Sequence, residues 1–160
     1  MLSKYVSESE FTVTQVRGID NSLPKGTITN NAIALCINYL DVIRDYYGKP
    51  VLITSGYRCP KVNTAVGGSL TPPSKHMGGN AADIHVAGIS LQQLFNDITS
   101  GAIKSPNGKP LMDIVDQVLY ENPSNPWVHI GRCNGIPRKM KMKAIFDSKG
   151  KPSYINVDKI

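Results

Sequence analysis

Two of the chain's three histidines and one aspartate share a short stretch, S74-K-H-M-G-G-N-A-A-D-I-H-V86. The third, His129, sits in the apolar run W127-V-H-I-G131. Imidazole and carboxylate are the ligands that a divalent zinc ion accepts, and a catalytic zinc takes three of them and keeps a fourth position open. The residues between His76 and Asp83, M-G-G-N-A-A, are small, so the backbone can curl and bring these two side chains to one point. If the runs holding Asp83 and His129 are neighbouring strands, His129 faces Asp83. The set His76, Asp83 and His129 is then a metal site with an open position. On residue types alone the alternative is equally good: each histidine is separately structural, and Asp83 meets its need for a partner with ordinary donors. His85 shares a strand face with Asp83 and ranks lowest as a ligand, because residues two apart on a strand stand roughly 6.5–7 Å from each other.

Several elements must position these residues. The helical spacing of Ile33, Ile37, Leu40 and Ile43 predicts a helix opened by a cap at Thr29-Asn30-Asn31 and stopped by Gly48 and Pro50. P50-V-L-I-T54 reads as a short buried strand. Pro60 opens a helical turn that Gly67-Gly68 closes, and Asn63 with these glycines fixes the loop. A81-A-D-I-H-V86 is a strand, followed by the helix LQQLFNDITSG. I114-V-D-Q-V-L-Y120 and W127-V-H-I-G131 are strands joined by E121-NPSNP, and the end of the chain, KMKAIF-DSKGK-PSYINV, reads as a hairpin. Helices and strands mix without regular alternation, which predicts an α+β fold.

The chain has 160 residues, 41% hydrophobic and 19% charged, which suits one globular domain, 1–160, with an arm at 1–27 and a basic hairpin at 138–160. No apolar run approaches the roughly 18–20 residues that span a bilayer. MLSKYVSESEF lacks the apolar core of a signal peptide, so synthesis in the cytoplasm is expected. Cys36 falls in the apolar helical pattern and reads as a small buried hydrophobe. A Cys59–Cys133 disulfide is conceivable, but reduced thiols fit a cytosolic origin better. Residues 1–131 carry ten Lys/Arg against ten Asp/Glu, while residues 132–160 carry eight against two. The whole excess of positive charge lies at the C-terminal end, which either attracts polyanions or is a solvated tail.

Taken together, S55-G-Y-R58, N63-x-x-V-G-G68, S74-x-H-x-x-G-x-A-A-D83, D116-Q-V-L-Y-E121 and W127-V-H129 resemble the zinc D-Ala-D-Ala carboxypeptidase family, in particular its phage and prophage branch. Order and spacing agree over about residues 8–145. The resemblance implies the fold shared with the hedgehog signalling domain, a small antiparallel sheet flanked by helices. It implies Zn2+ held by His76, Asp83 and His129, and cleavage of amide bonds in peptidoglycan stem peptides. Many relatives carry the catalytic glutamate three residues before the last histidine, where this chain has Pro126; the phage branch has it in D-Q-x-x-x-E, which assigns the base to Glu121.

In that frame Glu121 moves the proton and Arg58 either steadies the carbonyl oxygen, clamps a substrate carboxylate, or makes a structural ion pair. Ser74 is a candidate contact to a ligand or to substrate, or an ordinary loop serine. Tyr57 and Trp127 are candidate cleft residues whose commoner use is core packing. Asp116 and Gln117 are candidates to orient the site from behind. Expected partners are the peptidoglycan peptide and, through the basic end, anionic wall polymers, met after release or as a virion component. A monomer is expected. Two other readings stand beside this one: a non-catalytic wall- or partner-binding module on the same zinc fold, and nucleic-acid binding through residues 132–160, for which the aromatic support is thin.

Overall fold

The structure, a computed structural model, describes residues 1–121 and 127–160. The E121-NPSNP loop and Pro126 therefore fall, apart from Glu121, outside the described residues. Six strands form one sheet: β1 (Val51–Ser55), β2 (Ala81–Val86), β3 (Gln117–Tyr120), β4 (Val128–Gly131), β5 (Met140–Phe146) and β6 (Pro152–Asn156), in the order β1-β2-β4-β3-β5-β6. The pairs β1–β2, β2–β4, β3–β4 and β5–β6 are antiparallel, while β3 and β5 run parallel. The expected α+β class holds, with one parallel pair inside an otherwise antiparallel sheet. The helices are α1 (Glu8–Phe11), α2 (Thr27–Leu35), α3 (Asp41–Tyr47), α4 (Pro60–Ala65) and α5 (Leu91–Thr99). Among the described residues no helix is long and apolar enough to cross a membrane.

α2 and α3 are two halves of one helical run, joined by a π-helical turn at Cys36–Leu40. The run starts at Thr27 after Gly26, ahead of the expected Thr29–Asn31 cap, and ends on Gly48 in the left-handed region. The wide turn inserts an extra residue and resets the phase of the buried face. Ile37, expected inside, is therefore 49% exposed, while Leu35, Cys36, Tyr39, Leu40 and Ile43 are buried. β1 was expected to be buried. It is instead the sheet's edge strand, and Leu52 is 44% exposed. The expected strand from Ile114 begins only at Gln117, because Leu111–Asp113 forms a 3-10 turn that leaves Ile114 exposed.

Alternation along the strands gives the sheet two different faces. Ala82, Ile84, Val118, Val128 and Ile130 point into the core with Leu94, Phe95 and Ile98 of α5. Leu2, Val6 and Phe11 of the N-terminal arm close the same core. Asp83, His129 and Leu119 lie on the other face, in register across β2, β4 and β3. The three cysteines are free, with Cys36 buried and its thiol pushed up to about 12 by burial and the nearby acids Asp41 and Glu10.

Candidate metal centre

β2 and β4 place Asp83 directly opposite His129. His76 comes from outside the sheet, on a 3-10 turn, Lys75–Gly78, that leads into β2. The turn ends at Gly79, whose backbone is left-handed (φ 68°) and where a Cβ would lie 2.5 Å from the Ile28 carbonyl oxygen. Only glycine lets this loop fold so close under α2. His76, Asp83 and His129 are all buried, at 3%, 2% and 5% exposure.

Hydrogen bonds set which atoms face inward. His76 Nδ1 lies 2.6 Å from the Gly56 carbonyl oxygen. A carbonyl only accepts, so Nδ1 carries the proton and Nε2 of the neutral ring is a bare lone pair. That Nε2 stands 3.2 Å from His129 Nδ1 and 3.3 Å from Asp83 Oδ1, and His129 Nδ1 is 2.8 Å from the same Oδ1. A tetrahedral zinc with bonds of about 2.0–2.1 Å has ligand-to-ligand edges of roughly 3.3 Å, so the triangle of donor atoms has the right size. It is also electrostatically incomplete. With the His76 proton committed to Gly56, a lone pair faces a carboxylate oxygen with no hydrogen between them. A cation satisfies both, and the donor set of two imidazoles and one carboxylate suits zinc. Burial acts to raise the Asp83 carboxyl, and hydrogen bonding, with the His129 Nδ1–H on Oδ1, works against this, leaving the group below the usual carboxylate range.

Around the triangle stand residues that hold it. Arg58 donates through Nη2 to Asp83 Oδ2 at 2.7 Å and through Nε to Ser55 Oγ at 2.8 Å. Of the alternatives for Arg58, the structure contains the ion pair, and its partner is a candidate ligand. The far nitrogen of His129, Nε2, is 2.8 Å from the Gln117 amide nitrogen, and Arg138 donates to the oxygen of that amide at 3.1 Å. Gly56 itself is wedged under the arm. A Cβ there would lie 2.2 Å from the Phe11 carbonyl oxygen, which accepts from the Tyr57 N–H at 2.8 Å.

Glu121 lies just past β3, two residues beyond Leu119, the partner of His129, and so on the same sheet face. Burial raises its carboxyl above the usual range, an effect that the charge of Asp83 adds to and that of Arg58 opposes. Its backbone N–H donates to the Trp127 carbonyl at 3.2 Å, closing β3 against β4. The structure thus brings His76, Asp83, His129, Arg58 and Glu121 to one place. It does not bring every expected residue. Tyr57 is 4% exposed and packs in the core, where its neighbours Phe11 and Asn21 hold its backbone. Ser74 uses its backbone, donating to Ser69 and accepting from Met77, while the ring nitrogens of His76 are bonded to Gly56 and His129 rather than to the Ser74 hydroxyl. Trp127 is half-buried at the start of β4. His85 stands opposite Leu52 near the sheet edge, outside the ligand triangle.

Gly56, Ser55 and Tyr154 carry site contacts that the sequence did not disclose. Tyr154 of β6 donates to Glu121 Oε1 at 3.3 Å. The first two lie inside the S-G-Y-R motif, which was a usable signal; nothing near Tyr154 in the sequence points to Glu121. No curated protein matches the chain. A family model described as Peptidase M15 matches residues 5–105, well over half of the chain, and that stretch includes Arg58, His76 and Asp83. With this match and a buried histidine–aspartate–histidine group that could hold a metal ion, the chain belongs to the Peptidase M15 family, zinc-dependent metallopeptidases that include the zinc D-Ala-D-Ala carboxypeptidases.

Proposed function

We propose that this chain is a zinc peptidase that hydrolyses amide bonds of bacterial peptidoglycan stem peptides, as a D-Ala-D-Ala carboxypeptidase or as an endopeptidase of the endolysin type. The observation that carries the reading is the donor triangle with edges of 3.2, 3.3 and 2.8 Å beside a carboxyl whose affinity for protons is raised. His76 Nε2, Asp83 Oδ1 and His129 Nδ1 would hold the ion. Zinc, when bound, supplies a Lewis acid that makes water acidic near neutral pH and polarises a carbonyl.

The chain's own residues do the rest. Gly56 accepts the His76 Nδ1 proton and so keeps Nε2 of that ring aimed inward as a lone pair, and Gln117 holds the His129 ring from behind by donating to its Nε2. Glu121 accepts a proton from the attacking water as the carbon–oxygen bond forms. It then passes that proton to the amine as the carbon–nitrogen bond breaks. A raised carboxyl suits this double role, because it takes and returns a proton at smaller cost near neutral pH. Arg58 holds Asp83 through one arm of its guanidinium, and its remaining N–H groups are the cation for a carbonyl oxygen or a terminal carboxylate of the substrate. The lysines of the β5–β6 hairpin, Lys141, Lys143, Lys149 and Lys151, favour contact with anionic wall polymers. Action on the wall after release, or from a virion, follows from that substrate.

The experiment is release of new amine groups from purified peptidoglycan. Release is expected with zinc and is expected to stop on chelation and in His76→Ala. Undiminished release from His129→Ala would remove the three-ligand reading.

A further inference from the structure

Tyr154 and Glu121 lie 33 residues apart and meet through the sheet. In the parallel pair β3–β5, Tyr120 is level with Lys143, so Glu121 is level with Ala144. In the hairpin, Ala144 is opposite Tyr154. The phenol of an outer strand therefore reaches the carboxylate across one intervening residue, and that residue is a small one, 6% exposed. The hydroxyl is pushed up to about 12 by burial and by the charge of Glu121, so it stays protonated and remains a donor. The terminal torsion of a glutamate is soft. A carboxylate that must collect a proton from one direction gains from having one oxygen held, which leaves the other in a fixed orientation.

We propose that Tyr154 is a positioning residue of the hydrolytic site: its hydroxyl holds Glu121 Oε1, so that Oε2 handles the proton. This rests on the reading of Glu121 as the base. It makes the β5–β6 hairpin part of the active site, although the hairpin lies beyond the stretch that the family model matches.

The test uses the full chain. Tyr154→Phe removes one donor to a charged acceptor, and a drop of roughly 10- to 100-fold in the rate of amine release from purified peptidoglycan is expected. Zinc content and melting temperature are expected to stay as in the parent. Titration of the Glu121 side-chain carboxyl, followed by carbon-13 NMR, is expected to move up by about one pH unit, since the bond favours the charged form. Ala144→Leu, which blocks the path while keeping the phenol, is expected to produce the same upward shift. In a Glu121→Gln background, Tyr154→Phe is expected to add nothing further.

An unchanged Glu121 titration in both variants overturns the proposal, whatever the substrate proves to be. So does a loss of rate from Tyr154→Phe that persists at full size in the Glu121→Gln background. If Glu121→Gln is inactive and Tyr154→Phe is fully active, the base assignment stands and the positioning role falls. If Glu121→Gln retains the parent rate, both fall together.

Discussion

Asp83 and Asp116 are both buried, at 2% and 1% exposure, and both carboxyls are held below the usual range, yet they are compensated in opposite ways. Asp116 is saturated. Arg138 donates to it through its backbone N–H at 3.0 Å and through its guanidinium, and Lys75 Nζ lies 2.9 Å from Oδ2. Every partner brings its own hydrogen and its own charge. Asp83 has one such partner, Arg58, on Oδ2. Its other oxygen faces two imidazole nitrogens, one of which is a bare lone pair. A buried acid surrounded by fixed cations is a finished structural joint. A buried acid surrounded by neutral bases leaves room for a removable cation, and that difference separates a brace from a binding site. Consecutive residues serve the two: Lys75 the brace, His76 the site.

The sharpest way to break the comparison is to remove each acid. Asp83→Ala is expected to retain no zinc and to lose all hydrolysis while keeping its circular dichroism spectrum. Asp116→Ala is expected to keep its zinc and to lose about 2–3 kcal/mol of stability in urea, because two cations are left without their partner. Zinc bound equally by both variants would erase the distinction.

Glu121→Gln tests the chemistry next to the site. Its rate is expected to fall by about 10²- to 10⁴-fold with zinc content unchanged. In the parent, the acid limb of the rate profile is expected at a pH above the ordinary 4.5 of a glutamate, because burial raises this carboxyl and the base works only when deprotonated. A limb at or below that value would remove Glu121 from the role.

Chelation separates the two acids thermodynamically. With free zinc at about 1,000 times its dissociation constant, the parent is expected to lose about 4 kcal/mol of stability when the metal is stripped. Asp83→Ala is expected to lose nothing, and a calorimetric scan reads both. The smallest effect is expected from Arg138→Ala, about 1 kcal/mol, because the guanidinium is half exposed. The Asp116 carboxyl is lower in the folded chain than its ordinary 3.8, chiefly through its bonds to Arg138. Its stabilising contribution is therefore present above pH 3.8 and is lost as the pH falls through the lower folded value. The difference between parent and Arg138→Ala is expected to shrink over that acid range, as urea midpoints would show.

Much of the site could be read from the chain because its signals are local or face-alternating. The glycines after His76, the alternation in A-A-D-I-H-V and the apolar flanks of His129 each predict a placement that the sheet realises. What escaped was set by long-range pairing. That β5 lies parallel to β3 is written nowhere near Tyr154, so nothing in the sequence joins this tyrosine to Glu121. The basic end reads in the sequence as a polyanion-attracting edge or a solvated tail, yet part of it is internal bracing: Arg132 reaches Asn31 and Asn80, and Arg138 reaches Asp116. Charge counts do not distinguish a cation with a buried partner from one in solvent. The π-helical turn escaped for a different reason. A steady 3.6-residue period cannot show an inserted residue, and Ile37 was misplaced by it.

Gly56 ties the beginning of the chain to its chemistry. One peptide unit packs against Phe11 on one side and, through its carbonyl, fixes the His76 ring on the other. The seat of residues 1–11 and the locked orientation of the His76 ring share the Gly56–Tyr57 peptide unit, so each supports the other. A fusion partner or a trimmed end that disturbs Phe11 would then show itself as weakened zinc retention, far from the site in sequence and one residue away in space.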